Sequence, residues 1–186
     1  NEFIPDITTE RYKELQNNSS APLFGRAFQS SYPPASTFKP VVALAAINNG
    51  SIHPDQTFDC PYKIRIGRKW FHNHSEGHEG WVDAQRALAK SINPWFYQVG
   101  IETGSQAFLS VARRLGFGSK TGLPLIGEAT GNAPTADYIM RKMGRPTTNG
   151  DTANLSIGQG LMLASPLQVA QSMAAIGNGN VLMELQ

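Results

Sequence analysis

Tyr32-Pro33-Pro34-Ala35-Ser36-Thr37-Phe38-Lys39-Pro40 is the stretch from which the rest of the chain is read. Two prolines predict an extended backbone on the approach to Ser36. An apolar run follows, Val41, Val42, Leu44, Ala45 and Ile47, and ends at Asn48-Asn49-Gly50. This pattern predicts a helix that starts near Ser36 and is stopped by Gly50. Pro40 falls in or just after its first turn, where a missing N–H costs least. Ser36 and Lys39 then share one helix face, close enough for the amine to reach the hydroxyl. A serine hydroxyl is a weak nucleophile until an adjacent base takes its proton, and a helix amino terminus favours anionic charge developing there. Ser-x-x-Lys alone also has a plainer reading, with Ser36 as a cap and Lys39 in solvent.

The chain has 186 residues, enough for one domain with a real core. It is 40% hydrophobic and 16% charged, which is ordinary for a globular protein though low in charge. A net charge of +2 makes no electrostatic case for nucleic acid as a partner. The single cysteine, Cys60, cannot form an internal disulfide. No apolar run approaches the roughly twenty residues of a membrane span, so no membrane contact is expected within these residues. The chain opens on Asn1-Glu2-Phe3 and closes on Leu185-Gln186 without a cap or loop signal, and is read as a piece of a longer protein.

Along the chain, Thr8 or Thr9 predicts the cap of a helix with Arg11 to Leu15 as its body. Alternation at Tyr62-Lys63-Ile64-Arg65-Ile66, followed by Gly67-Arg68, predicts a short strand and turn. Asp83 is expected to cap a helix through Ala84, Ala87 and Leu88. Another begins at Asn93-Pro94 and carries Trp95, Phe96, Val99 and Ile101 inward. Ser105 is expected to cap a third, Gln106 to Leu115, with Gly116 just past its end. Further helices are predicted over Ala136 to Met143 behind Thr135, and from Ser165-Pro166 with Leu167, Ala170, Met173, Ala174 and Ile176 at helical spacing. Strand signals are scarce, and the chain is expected to be mainly α.

A second constellation is Ser91-Ile92-Asn93, which begins 55 positions after Ser36. A hydroxyl and an amide on one short loop can relay a proton and fix a substrate carbonyl. Here too a structural alternative stands, since Asn93 before Pro94 is a good cap and Ser91 an ordinary helix-end residue. In Leu155-Ser156-Ile157-Gly158-Gln159-Gly160, followed by Ala164-Ser165-Pro166-Leu167-Gln168, the two glycines permit a tight turn. This string is read as structural support.

These strings together resemble the class B penicillin-binding protein transpeptidases. The serine stretch, its approach Ala21-Pro22-Leu23-Phe24-Gly25-Arg26-Ala27-Phe28, the Ser-x-Asn motif with its following aromatics, and the Gly-Gln-Gly to Pro-Leu-Gln segment carry the likeness, which runs nearest to the branch serving cell elongation. Relatives more often have glycine where Ala35 stands. The resemblance implies residues 1–186 as a partial transpeptidase domain, the helical portion of the α/β penicillin-binding protein and β-lactamase-like fold with most sheet strands missing. It implies Ser36 as the nucleophile, Lys39 as its base, Ser91 as proton relay and Asn93 as a substrate-binding residue, with no cofactor. The implied partners are peptidoglycan stem peptides, β-lactam antibiotics and, through the parent, cell-elongation proteins. The implied location is periplasmic or extracytoplasmic, with an anchoring helix outside this stretch.

Lys120-Thr121-Gly122 is similar to the family's catalytic tripeptide but follows a predicted helix end, and is read as a surface loop. The catalytic copy is expected beyond Gln186, which would leave this piece alone a poor enzyme and expose Val41, Leu44 and Ile47. Cys60, His72, His74 and His78 invite a zinc reading. Relatives that look metal-bound place a ligand where Ile92 stands, so no metal is expected. A class D-like β-lactamase or sensor and a non-catalytic scaffold of the cell-wall machinery are the rival functions. The first has Ser-x-Val where this chain has Ser91-Ile92-Asn93.

Overall fold

Short polar side chains start the helices much as the sequence directs. In the computed structural model, which describes residues 6–179 and 181–182, Thr8 caps α1 (Thr9–Gln16) and Asp83 caps α3 (Ala84–Ala89). Thr135 caps α6 (Ala136–Met143), which ends on left-handed Gly144. Ser165 and Gln168 form a reciprocal capping box at α8 (Pro166–Gly177). The predicted serine helix divides into a 3-10 turn, Ala35–Phe38, and α2 (Lys39–Asn48) with Pro40 in its first turn. α4 (Asn93–Thr103) and α5 (Ser105–Arg114) follow, and Gly104 rather than Ser105 occupies the cap of α5.

One helix was not legible. α7 (Asn149–Ser156) is capped by Thr148 with Asp151, but its buried residues are Thr152, Ala153, Leu155 and Ser156, which make no apolar stripe. β structure is sparse, as expected. β1 (Phe58–Asp59) pairs with β4 (Trp81–Val82), and β2 (Lys63–Ile66) with β3 (Lys69–His72) around the turn at Gly67-Arg68. Only β2 carried a sequence signal. Among the described residues no helix is long and apolar enough to cross a membrane.

α2 is the centre of the molecule. It packs on α4 and α5, and α4 packs on α7. Phe38 meets Phe108 and Phe117 edge to face at 6.3 and 5.4 Å. The expectation that Val41 would be exposed is therefore wrong: Val41, Val42, Ala43, Ala45 and Ala46 are all buried. An uninterrupted apolar run marks a helix enclosed on most sides, not a stripe awaiting a sheet. Leu44 and Ile47 are half-buried, and Leu44 borders a groove of about 350 Å³ against α5.

α8 also departs from its predicted face. It buries Gln168, Gln171, Ser172 and Ala175, leaves Ala170 and Ala174 exposed, and half-buries Leu167, Met173 and Ile176. Loop backbone accounts for the inversion. Gln168 Nε2 donates to Ser119 O at 2.5 Å and Thr130 O at 2.8 Å, carbonyls with no helix or sheet to satisfy them.

Two glycines set the closest approaches. A Cβ on Gly100 of α4 would lie 2.4 Å from Ser156 Cβ of α7. A Cβ on Gly158 would lie 2.4 Å from Ala35 O and 2.8 Å from Phe38 Cβ. Gly158 O also accepts from Ala35 N at 3.0 Å, so this glycine seats the turn that carries Ser36. Gly160 has a similar φ, +74° against +68°, but its Cβ would meet only Asn154 Cβ, at 3.8 Å. Gly160→Ala is thus expected to cost about 1–2 kcal/mol, the left-handed penalty alone. Gly158→Ala should cost at least ~3 kcal/mol, because overpacking adds to it. Urea unfolding of the two variants checks this, and equal losses would remove Gly158 from its role under the serine turn.

Candidate active site

The 3-10 turn presents Ser36 to solvent while placing Lys39 inside. Lys39 is 1% exposed. Its ammonium donates to Ser91 O at 2.6 Å, Ser91 Oγ at 2.9 Å and Asn93 Oδ1 at 2.7 Å, and sits 5.1 Å from the Phe96 ring centroid. Ser91 Oγ in turn donates to Ser36 Oγ at 2.9 Å. The four residues singled out in the sequence therefore converge, with one correction. No direct hydrogen bond joins Lys39 to Ser36. Ser91 Oγ stands between them, because the buried amine turns to three acceptors on Ser91 and Asn93 while the exposed Ser36 hydroxyl meets Ser91 Oγ. Burial pushes the Lys39 ammonium down from 10.5 to about 8.

Ser91 reaches this position by ending a helix. Its φ is +55°. Its N–H donates to Leu88 O at 3.2 Å, and Ile92 N–H to Ala87 O at 2.9 Å. These are the paired bonds of a Schellman ending on α3, with Ser91 at the position that glycine usually fills. Backbone strain at this point turns both the carbonyl and the hydroxyl of Ser91 onto Lys39. Ala35, immediately before Ser36, is also left-handed at φ +49°. A glycine would take this conformation without the Cβ penalty.

Asn93 does not act as the helix cap. It is the first residue of α4, and Ile92, the cap residue, has no side-chain bond to offer. The Asn93 N–H donates instead to Asn73 Oδ1 at 3.0 Å, from the far end of the β2–β3 hairpin. Asn73 is buried, with its N–H on Tyr62 O and its Nδ2 on Ser75 Oγ. The Asn93 side chain is thereby released to accept from Lys39 while its Nδ2 donates to His72 O at 3.4 Å. Tyr97 OH donates to the same carbonyl at 3.2 Å. Asn73 and Tyr97 escaped the sequence reading, since a cap supplied by another element leaves no local spacing to detect.

The side chains of the remaining candidates make no hydrogen bond to these four residues. Lys120 is exposed on a loop pinned by Thr121 N donating to Glu128 Oε1 at 2.8 Å. Cys60 is buried, its thiol on Phe58 O and pushed up to about 12 by burial and by the charges of Asp59 and Glu79. His78 pairs with Asp59, and the His72 ring lies against Tyr62. Among the described residues no group of three or more His, Cys, Asp or Glu side chains is arranged to hold a metal ion.

Residues 7–186 match the family model described as the penicillin binding protein transpeptidase domain. A curated relative, the peptidoglycan D,D-transpeptidase MrdA of Haemophilus influenzae, is 37% identical over 184 residues, covering 97% of this chain but 28% of the relative. The chain thus spans less than a third of that protein's length. Penicillin-binding protein 2 of Helicobacter pylori, solved in complex with MreC, superposes with a TM-score of 0.85 at 31% identity, covering 96% of this chain and 34% of that one. Penicillin-binding protein A of Mycobacterium tuberculosis, solved as an imipenem acyl-enzyme complex, gives 0.79 at 28% identity, covering 94% and 39%.

The cap from Asn73 is testable by itself. Asn73→Ala strips the acceptor from a buried N–H and is expected to cost about 1–2 kcal/mol. Asn73→Asp keeps that acceptor and should recover at least half of the loss. Chemical denaturation of both variants measures it, and an Asp variant no better than Ala would mean that the bond to Asn93 is not what Asn73 contributes.

Proposed function

This chain belongs to the penicillin-binding protein transpeptidase family, and from that premise we propose that it forms the serine-bearing part of a peptidoglycan D,D-transpeptidase. The observation that carries the reading is the unbroken chain of hydrogen bonds from exposed Ser36 through Ser91 to buried Lys39. In the neutral amine form, Lys39 takes the Ser91 proton as Ser91 takes that of Ser36. Ser36 Oγ attacks the carbonyl between the two terminal D-alanines of a stem peptide. The resulting oxyanion is met by the Ser36 N–H, in the first turn of its 3-10 helix where backbone N–H groups lack intrahelical partners.

The proton then returns through Ser91 to the departing D-alanine nitrogen, the C–N bond breaks and the acyl-enzyme remains. An amine from a second stem peptide attacks that ester, loses its proton along the same relay and regenerates the Ser36 hydroxyl. Asn93 Nδ2, which has two N–H groups and uses one on His72 O, offers the other to the substrate backbone. β-Lactams acylate Ser36 by the same route, and the acyl-enzyme of the M. tuberculosis relative supports this. Residues 1–186 are proposed as part of a longer transpeptidase domain outside the cytoplasm, anchored by a segment not included here. The complex of the H. pylori relative with MreC supports cell-elongation proteins as partners.

Two measurements on the full-length protein test the assignment. Intact-mass spectrometry after penicillin treatment is expected to show one adduct on the wild type and none on Ser36→Ala. Label persisting on the alanine variant would refute Ser36. The pH profile tests the base. With its ammonium at about 8, roughly a tenth of Lys39 is neutral at pH 7 and nine tenths at pH 9. The neutral form takes the proton, so acylation should rise with pH, about tenfold over that interval, and then level off. A flat profile would exclude Lys39 as the titrating base.

A further inference from the structure

The β2–β3 hairpin holds four cations in seven residues, Lys63, Arg65, Arg68 and Lys69, and no Asp or Glu occurs from Cys60 to Asn73. Among the described residues none of the four makes a salt bridge. The whole chain carries only +2, so the remainder is net negative and the positive field is gathered here.

Register sorts these side chains. Directly opposed residues of an antiparallel pair share a face, and Lys63 opposes His72 while Arg65 opposes Trp70. These four are exposed, whereas Ile64, Ile66 and Phe71 turn toward the core. Trp70 is 53% exposed with Lys63 Nζ 5.0 Å from its ring centroid, and the Tyr62 ring lies 5.4 Å from that of His72. The outer face therefore presents an exposed indole beside Lys63 and Arg65, which make no salt bridge. The His72 end of the hairpin adjoins the serine site, because the carbonyl of that residue holds Asn93 and Tyr97.

We propose that this face binds the second peptidoglycan strand, the one whose amine resolves the acyl-enzyme. Stem-peptide carboxylates meet Lys63 and Arg65, and the face of a sugar ring stacks on Trp70. The inference rests on the transpeptidase reading of the site and extends it to the acceptor. A membrane surface fits less well. Lipid insertion calls for several apolar side chains together, and Trp70 shares its face with Lys63, Arg65 and His72 alone. A polyanion with ring faces matches both features of the hairpin.

The test is co-sedimentation of the full-length protein with purified sacculi after its serine has been blocked with penicillin, so that retention reports surfaces outside the donor site. Lys63→Glu/Arg65→Glu, Lys63→Gln/Arg65→Gln and Trp70→Ala are each expected to lower retention at least fivefold. Lys120→Glu/Lys142→Glu, which makes the same charge change elsewhere, should lower it less than twofold. Wild-type retention by the hairpin variants, or an equal fall in the control pair, overturns the proposal. So does retention on phosphatidylglycerol vesicles with none on sacculi, which would assign the face to lipid. Failure of the underlying reading shows separately and earlier, as absence of a penicillin adduct on Ser36.

Discussion

A lysine ammonium cannot be left bare inside a protein, and the arrangement around Lys39 follows from that requirement. Removing an ammonium ion from water costs several kcal/mol unless acceptors replace the water. Ser91 O, Ser91 Oγ and Asn93 Oδ1 are those acceptors, one for each N–H. All three come from Ser91 and Asn93, where α3 gives way to α4, so this junction is fixed to α2 by the charge it neutralises. The replacement is incomplete, and the ammonium is held down at about 8. Between about 8 and 10.5 the unfolded chain binds the proton and the folded one does not, so stability rises with pH across that window and is lower by roughly 3 kcal/mol below it. The fold thus gives up stability at neutral pH to hold an amine that can lose its proton there.

Backbone strain is spent at the same place. Ala35 and Ser91 both stand in the left-handed region, at φ +49° and +55°, where a side chain costs roughly 1–2 kcal/mol. Each is over-determined by its surroundings. Ala35 is bonded to Gly158 O, whose own Cα leaves no room for a Cβ, and Ser91 is clamped by the two closing bonds of α3. A glycine at position 91 would end the helix at less cost but would remove the hydroxyl that links Ser36 to Lys39. The strain at Ser91 is the conformational cost of placing a hydrogen-bonding side chain between Ser36 and Lys39 on a helix-ending residue.

Much of this was legible where local rules operate. Thr8, Asp83, Thr135 and Ser165 cap the helices that their spacing announces, and Ser36, Lys39, Ser91 and Asn93 meet as their motifs require. What failed to show was what distant elements decide. α2 read as half-exposed because a continuous apolar run does not say how many neighbours enclose it. α7 does not show in the sequence because its buried positions include threonine and serine, which break the apolar spacing. α8 was turned over because Gln168 serves loop carbonyls 49 and 38 residues away. The left-handed Ser91 was hidden by the absence of the glycine that normally marks such an ending.

The same logic explains why the irregular stretch between α2 and α3 belongs to the site. Helix amino termini need acceptors for their first N–H groups, and at α4 the residues best placed to supply them are already committed. Ile92 has no acceptor, Ser91 is occupied with Lys39 and Ser36, and Asn93 turns its amide to Lys39. The acceptor therefore has to come from outside, and Asn73 at the end of the hairpin provides it. The neighbouring His72 carbonyl fixes the other end of the Asn93 amide and Tyr97 as well. Turning the Asn93 amide to Lys39 leaves the helix cap to a second asparagine, and that one is held at the end of the β2–β3 pair by Tyr62 O and Ser75 Oγ. The hairpin is thus bound to the serine by consecutive hydrogen bonds, Asn73 to Asn93 to Lys39 to Ser91 to Ser36. The hairpin therefore touches Asn93 twice, at its backbone N–H through Asn73 and at its side-chain amide through the His72 carbonyl.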